Sequence, residues 1–217
     1  FFRQMNPHSR EVALYKIAWC LINLKFNDHA EGVFVRLIRT AGAKSGLGKD
    51  SVRDLAFLVA HRKDPSGVVA YAAEPFTEIG TRLEFLEYVR VSFEDQNLVE
   101  LHSQVIQTML ALEKAPEKRL LLLISDLKVH RKLYAARTHY ASFQELEEFL
   151  HKNKLDLGSR QLSPHAQELE AELQMLIKSW VDTYAGRTKT PETLTREEIA
   201  VGLKHQFETF VRHLPKS

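Results

Sequence analysis

The sequence predicts an all-α fold, an irregular multi-helix bundle of roughly eight to ten helices. Three observations favour this class. Apolar residues recur at intervals of three and four positions, as in Ala30, Phe34 and Leu37, and this is the helical period. Helix-start signals accompany several of these stripes. The sequence has no repeat of fixed length, so a regular solenoid is disfavoured.

An α/β fold is the alternative, with short parallel strands at 33–40 and 118–126. The first run is rich in β-branched and aromatic residues, and the second has the composition of a buried strand that ends in an acid. Both runs also belong to longer helical stripes, and leucine favours helix. We therefore expect helices in both places.

In chain order, the stripes and start signals predict ten helices. The expected spans are 9–25, 29–40, 51–63, 68–74, 81–93, 97–113, 116–140, 143–152, 164–185 and 195–213. Four residue pairs have the spacing of a capping box, in which the first side chain caps the helix and the acid reaches back. These pairs are Asp28 with Glu31, Thr81 with Glu84, Ser142 with Glu145, and Thr195 with Glu198. Pro116 and Pro164 suit first helical positions, where a missing N–H costs nothing.

Two apolar stripes lie near the end of the chain. The longest in the sequence contains Ala166, Leu169, Leu173, Leu176, Trp180 and Tyr184, and the last contains Ile199, Leu203, Phe207, Phe210 and Leu214. The stripe 166–184 is either internal core or, if exposed, a surface for a partner helix or a dimer. On the second interpretation, Leu173, Trp180 and Tyr184 are candidate partner-binding residues.

The segment 153–163 is a soft boundary between two parts of the chain. It would divide a helical core domain at 1–152 from a C-terminal helical pair at 164–217. That pair either stands alone or packs on the core as one domain. The sequence leaves both arrangements open.

Composition and cysteine usage indicate a soluble intracellular protein. The single cysteine, Cys20, lies in an apolar run, so we expect a small core residue in a reducing, cytoplasmic compartment. No apolar run approaches the ~20 residues that a membrane span needs, and the first residues lack a signal-peptide core. Because the chain begins with Phe1, we expect it to be part of a longer protein.

The formal net charge of +2 conceals alternating blocks of charge. Residues 1–65 carry a balance of +5, residues 66–100 of −5, residues 101–141 of +4, residues 142–186 of −4 and residues 187–217 of +2. Either the acidic blocks neutralise the basic ones in the fold, or the basic blocks face an anionic partner.

The glycine-rich stretch 41–51 invites comparison with a phosphate-binding loop, G-x-x-x-x-G-K-[ST]. Counting back from Gly48 and Lys49, the first glycine is replaced by Ala43 and the hydroxyl residue by Asp50. A nucleotide-hydrolysing loop is therefore disfavoured. We expect instead a C-capped helix, a glycine loop, and a new helix capped by Asp50 or Ser51.

Two groups of cations remain candidates for binding a phosphate or another anion. In the first, Lys44, Lys49 and Arg53 lie beside loop amides and a helix start. The second lies in the basic stretch 126–140, where tyrosines are interleaved, and contains Lys128, Arg131, Lys132 and Arg137. Cations interleaved with aromatic residues can bind the phosphates and bases of a nucleic acid. Cations near the C-terminus of a helix are also stabilised by the helix dipole. In addition, Glu145, Glu147 and Glu148 could neutralise these cations.

Motifs for metals, cofactors and catalysis are not found. Glu148 and His151 form a single Glu-x-x-His unit, and the sequence has no His-Glu-x-x-His, cysteine pair or Gly-x-Ser-x-Gly. We therefore assign no metal, no cofactor and no catalytic residue.

Three hypotheses of function follow in order of preference. The first is a non-catalytic helical binding domain, a subunit or adaptor in a larger protein assembly, with a protein partner or a homo-oligomer. The second is a nucleic-acid-binding module that uses the basic segments. The third is a nucleotide-phosphate-binding enzyme with a degenerate glycine-rich loop. We expect no membrane partner.

Overall fold

The computed structural model describes residues 6–73, 76, 78–132, 136–153, 163–187 and 195–213. The described chain consists of ten helices in the predicted order. They are α1 (Pro7–Asn23), α2 (Asn27–Ala41), α3 (Gly46–His61), α4 (Pro65–Ala73), α5 (Ile79–Asp95), α6 (Val99–Leu112), α7 (Pro116–Lys132), α8 (Ala136–Asn153), α9 (Ser163–Tyr184) and α10 (Arg196–His213).

The all-α prediction is confirmed, and the α/β alternative is wrong. No strand occurs in the described ranges, and the two runs considered as strands, 33–40 and 118–126, lie in α2 and α7. Their buried residues explain why: in α2, Phe34, Leu37 and Ile38 turn to the core at helical intervals. None of the described helices combines the length and the apolar character that a membrane crossing requires.

The predicted helix starts are partly confirmed. Before α10, the Thr195 amide donates to the Glu198 carboxylate at 2.7 Å and the Glu198 amide donates to the Thr195 hydroxyl at 3.2 Å, which is a capping box. The other three predicted boxes are wrong, because Asp28, Thr81 and Ser142 lie inside helices.

The largest error in the helix bounds concerns α7 and α8. The predicted helix 116–140 is divided, so that α7 ends at Lys132 and α8 begins at Ala136. The Ser142 hydroxyl donates to the Asp126 carboxylate at 2.8 Å, and both side chains are buried. Ser142 therefore joins α8 to α7 instead of capping a helix.

The chain divides into two compact units, Phe1–Leu112 and Glu113–Ser217. In the first, α2 packs against α1 and α3, and α5 packs against α3, α4 and α6. In the second, α7 packs against α8 and α9, and α9 packs against α10. This division falls between α6 and α7. The boundary expected at 153–163 lies almost wholly outside the described residues, and it stays a prediction.

The outer face of α1 corrects the expectation for Cys20. This residue is exposed, not part of the core. The helix buries Leu14 and Ala18, four positions apart, and these face the other helices of the first unit. Trp19 and Cys20 lie beyond the edge of that narrow buried face, and Trp19 is 40% exposed.

Candidate protein-binding groove

The glycine-rich stretch ends one helix and begins the next. Gly42 closes α2 with φ of +82°, a left-handed conformation that favours glycine. The Ser45 hydroxyl donates to the Gly42 carbonyl at 3.0 Å and accepts from the Gly48 amide at 3.0 Å. Ser45 is thus the N-cap of α3, and the predicted caps Asp50 and Ser51 are wrong because both lie inside the helix.

Gly48 has a steric reason to be glycine. A Cβ atom there would lie 1.9 Å from the Gly42 carbonyl oxygen, so the turn before α3 tolerates no side chain at this position. Both glycines are explained by the geometry of the turn. This arrangement favours the structural interpretation of the stretch over the phosphate-loop interpretation.

The early start of α3 places four side chains on one exposed ridge. Lys49, Arg53, Phe57 and His61 follow one another at intervals of four, and all are exposed. Opposite them on the same helix, Val52, Leu55 and Val59 are buried. We call the four exposed residues the α3 ridge. It contains two of the predicted anion-binding residues, Lys49 and Arg53.

A parallel row of side chains borders the α3 ridge on α5. The core residues Phe85, Val89 and Phe93 fix the inward face of α5. Its outward side presents Tyr88, which is half-buried, and Val91, which is 40% exposed.

An open groove of about 410 Å³ lies between the two helices. Its walls are formed by Arg53, Phe57 and His61 from α3, by Tyr88, Val91, Ser92 and Asp95 from α5, and by Gln96, which follows α5. Phe57 is 53% exposed, and its ring lies 4.1 Å from the His61 ring between centroids. The His61 Nδ1 atom is 3.0 Å from the Phe57 carbonyl oxygen, which holds the imidazole beside the phenyl ring. We call this feature the α3–α5 groove.

Ion pairs organise the surroundings of the groove. Lys49 Nζ lies 3.8 Å from the Glu84 carboxylate across α3 and α5. Arg53 lies 3.3 Å from both Asp50 and Asp54. Asp54 also accepts a hydrogen bond from the Tyr15 hydroxyl at 2.7 Å. Burial, together with this hydrogen bond to Asp54, raises the pKa of Tyr15.

The remaining candidate cations of the sequence do not join this site. Lys44 precedes α3 in the chain, and its ammonium group pairs with Glu78 at 2.8 Å. In the second unit Lys128 pairs with Glu168, and Arg131 donates to both oxygens of the buried Glu172 at 3.0 and 3.2 Å. The side chains of Lys132 and Arg137 lie outside the described part.

Each candidate cation whose side chain is described therefore has a carboxylate within 3.8 Å. The acids that pair with Lys128 and Arg131 of α7 come from α9, whereas the sequence suggested Glu145, Glu147 and Glu148. Glu147 instead accepts from Thr209 at 2.7 Å and contacts His205 Nε2 at 2.7 Å, both in α10.

The predicted partner-binding residues are mostly interior. Leu173 and Trp180 are buried within the second unit, while Tyr184 is 46% exposed. The Arg196 guanidinium lies over the Tyr184 ring at 6.0 Å from its centroid. These positions favour internal core, the alternative that the sequence left open for this stripe.

Sequence reasoning missed Phe57, His61, Tyr88 and Val91. A signal was present for Phe57, because it stands four positions from Arg53 on the side of α3 away from the apolar face. Its pairing with α5 had no signal in the sequence. No cluster of three His, Cys, Asp or Glu side chains able to hold a metal occurs in the described ranges.

No protein-family model, curated protein or solved structure matches this chain. The groove is therefore interpreted from its own geometry.

Proposed function

We propose that the protein is a non-catalytic helical binding domain, a subunit or adaptor that binds an amphipathic helix of a partner protein in the α3–α5 groove. The observation that carries this proposal is the exposed Phe57 facing Val91 across an open groove of about 410 Å³. An amphipathic helix laid in such a groove anchors itself through side chains at intervals of three and four.

Aromatic side chains are the usual anchors of protein interfaces. Full burial of a phenylalanine contributes roughly 1.5–3 kcal/mol, so covering the exposed half of Phe57 would contribute about 1 kcal/mol. Val91 and the Tyr88 ring would add to this from the opposite wall. The α3 ridge runs from Lys49 to His61, about 18 Å at ~1.5 Å per residue, and this length suits a partner helix of about three turns.

Charges on the two walls set the orientation of the partner. Along or beside the groove, α3 carries Lys49 and Arg53, whereas α5 carries Glu84 and Asp95. A partner helix with an acidic flank along α3 and a basic flank along α5 complements both, and the reversed helix places like charges together. Since Lys49 and Arg53 already have carboxylate neighbours, these charges select orientation more than they add affinity.

The ion pairs also support protein binding over nucleic-acid binding. A phosphate-binding surface leaves its cations free to replace counterions. Here Lys44, Lys49 and Arg53 each have an acidic neighbour in the first unit, as do Lys128 and Arg131 in the second.

A displayed library of amphipathic helical peptides tests the proposal, with the purified protein as bait. We expect enrichment of peptides with apolar anchors at helical spacing and charges of opposite sign on the two flanks. Phe57→Asp should lower the affinity of the protein for the selected peptides at least about tenfold. Phe26→Asp is the matched control, because Phe26 is a phenylalanine as exposed as Phe57 and does not line the groove.

High salt should weaken the preference for one peptide orientation and leave most of the affinity of the apolar anchors intact. If no peptide is enriched, or if the enriched peptides bind Phe57→Asp as tightly as the unaltered chain, the groove is not a helix-binding site.

A further inference from the structure

Alongside the buried Ile199, α10 turns polar side chains inward and leaves large apolar ones outward. Gly202, Gln206 and Thr209 are buried, whereas Phe207 is 50% exposed and Val211 is 66% exposed. The apolar stripe predicted for this helix included Phe207 together with Ile199. The structure buries Ile199 and leaves Phe207 half exposed.

Three contacts fix this rotation of α10. A Cβ atom on Gly202 would lie 2.4 Å from Trp180 Cζ3, so the helix approaches Trp180 through its glycine. On the next turns, Glu147 of α8 accepts from Thr209 and contacts His205, each at 2.7 Å. The outward position of Phe207 follows from close packing and hydrogen bonds elsewhere on the helix.

The same rotation buries Gln206. Its side chain is fully buried, and neither its amide nitrogen nor its amide oxygen has a hydrogen-bond partner in the structure as described. A buried polar group without a partner destabilises the fold. Covering the outward apolar side chains would offset part of that cost.

The exposed side of α10 has the spacing of a coiled-coil seam. Ala200, Lys204, Phe207 and Val211 are all exposed and follow one another at intervals of four, three and four. We call these four residues the α10 seam. The α10 seam is too short to form a large interface, but it is long enough for one helix to pack against another.

We propose that the α10 seam is the interface of a weak antiparallel homodimer. When two copies of α10 run in opposite directions about a two-fold axis, Ala200 faces Val211 of the second copy, and Lys204 faces Phe207 there. In the first layer the small Ala200 side chain packs against the larger Val211. In the second layer the aliphatic part of Lys204 covers the Phe207 ring.

The charges on α10 favour this orientation over a parallel one. A parallel pair would place Lys204 against Lys204 of the second copy. The antiparallel pair brings the Lys204 ammonium near Glu208 of the second copy. Lys204 and Glu208 lie 3.9 Å apart within one helix, in an exposed pair that is easily rearranged. One helix face buries less than the roughly 1,200 Å² of a stable interface, so the dimer is transient.

Sedimentation velocity over a wide range of protein concentration measures the association. We expect a concentration-dependent dimer that Phe207→Glu abolishes. Lys204→Glu should weaken it, and the double variant Lys204→Glu/Glu208→Lys should restore it because the exchanged charges pair again. Phe26→Glu, at a half-exposed phenylalanine of the first unit, is the matched control and should leave the dimer unchanged.

Disulfide trapping tests the direction of the helices. In a Cys20→Ser background, Ala200→Cys and Val211→Cys variants are mixed and mildly oxidised. The antiparallel dimer gives mainly 200-to-211 crosslinks, whereas a parallel dimer gives 200-to-200. A monomer at every concentration, an association that survives Phe207→Glu, or a majority of 200-to-200 crosslinks overturns the proposal. Circular dichroism spectra confirm that each variant is folded.

Discussion

The Tyr71 hydroxyl donates a hydrogen bond to the Glu31 carboxylate at 2.6 Å and joins α4 to α2 inside the first unit. Arg62 contacts the other carboxylate oxygen at 2.7 Å, and Glu31 is only 2% exposed. Burial, followed by the Glu31 hydrogen bond and charge, raises the pKa of Tyr71 to about 12. Burial also raises the pKa of Glu31, although Tyr71 and Arg62 oppose that change.

The raised pKa of Tyr71 predicts that the protein loses stability in alkaline solution. Between pH 10 and about 12 the unfolded tyrosine releases a proton that the folded one retains, so the free energy of unfolding falls as pH rises. The fall attributable to Tyr71 should be about 1–2 kcal/mol after allowing for partial exposure. Urea denaturation of the unaltered chain and of Tyr71→Phe measures it, since only the difference between them isolates Tyr71 from Tyr15 and Tyr140. Parallel pH profiles would contradict the prediction.

The raised pKa of Glu31 predicts that the free energy of unfolding also depends on pH in the acidic range. Its folded pKa is raised above 4.5, so its contribution to stability is greatest below that pH and is lost as pH rises through the folded value. Glu31→Gln keeps an acceptor for Tyr71 and cannot ionise. Its stability relative to the unaltered chain should therefore increase from acid to neutral pH. Asp28→Asn is the control, since Asp28 also pairs with Arg62 but its side chain is 86% exposed. An equal slope in both variants would argue against a special role of Glu31.

Gly202→Ala tests the contact that orients α10. The new Cβ would overlap Trp180, and overpacking of this kind costs about 1–3 kcal/mol, more than the helix propensity gained. Gly32→Ala in α2 is the matched control, because a Cβ there meets nothing within 4 Å, and it should stabilise the protein by about 0.5–1 kcal/mol. Thermal melts of both variants measure the difference. Equal stabilisation by the two substitutions would mean that Gly202 is not in contact with Trp180.

Arg131 and Lys128 should differ in their contribution to stability. Arg131→Met leaves the buried Glu172 carboxylate without its guanidinium, and we expect a loss of about 2–4 kcal/mol. Lys128→Met breaks a more exposed pair with Glu168 and should cost under about 1 kcal/mol. The double variant Arg131→Met/Glu172→Met should recover most of the first loss. Chemical denaturation measures the free energy of unfolding of the three variants. Similar losses of stability in both single variants would contradict the prediction that the pair with the buried Glu172 matters more.

Oligonucleotide binding should be weak even at low salt. Anisotropy titrations with labelled single- and double-stranded oligonucleotides would detect it, and the log–log salt slope would count the phosphate contacts at about −0.7 to −0.9 each. Arg131→Glu is a poor test of such binding, because it places a second carboxylate beside Glu172 and destabilises the fold. Lys49→Glu, at an exposed position, is the better one. Tight binding that Lys49→Glu weakens would favour the nucleic-acid hypothesis.

Helical periodicity predicted the helices because the buried residues of each element are close in sequence. Phe34, Leu37 and Ile38 bury one face of α2 whichever helix covers them. The Thr195 and Glu198 capping box was predictable for the same reason, since its partners are three residues apart. Local interactions of this kind are visible in a single sequence.

Contacts between distant residues were not predictable in this way. Ser142 had the spacing of a cap, but its partner Asp126 belongs to another helix. The outward position of Phe207 depends on Trp180 meeting Gly202 across two helices. The α3–α5 groove likewise requires Phe57 and Val91 to be brought together by the pairing of α3 with α5.

The two tryptophans of the chain lie in different units and in contrasting surroundings. Trp19 is 40% exposed on α1, and Trp180 is buried against α10. An aqueous quencher should therefore reach the fluorescence of Trp19 first, while the blue-shifted emission reports on α9 and α10. The protein thus carries its own optical reporter for each unit. Unequal midpoints of the two signals during denaturation would mean that the units melt separately, so that no single free energy describes the whole chain.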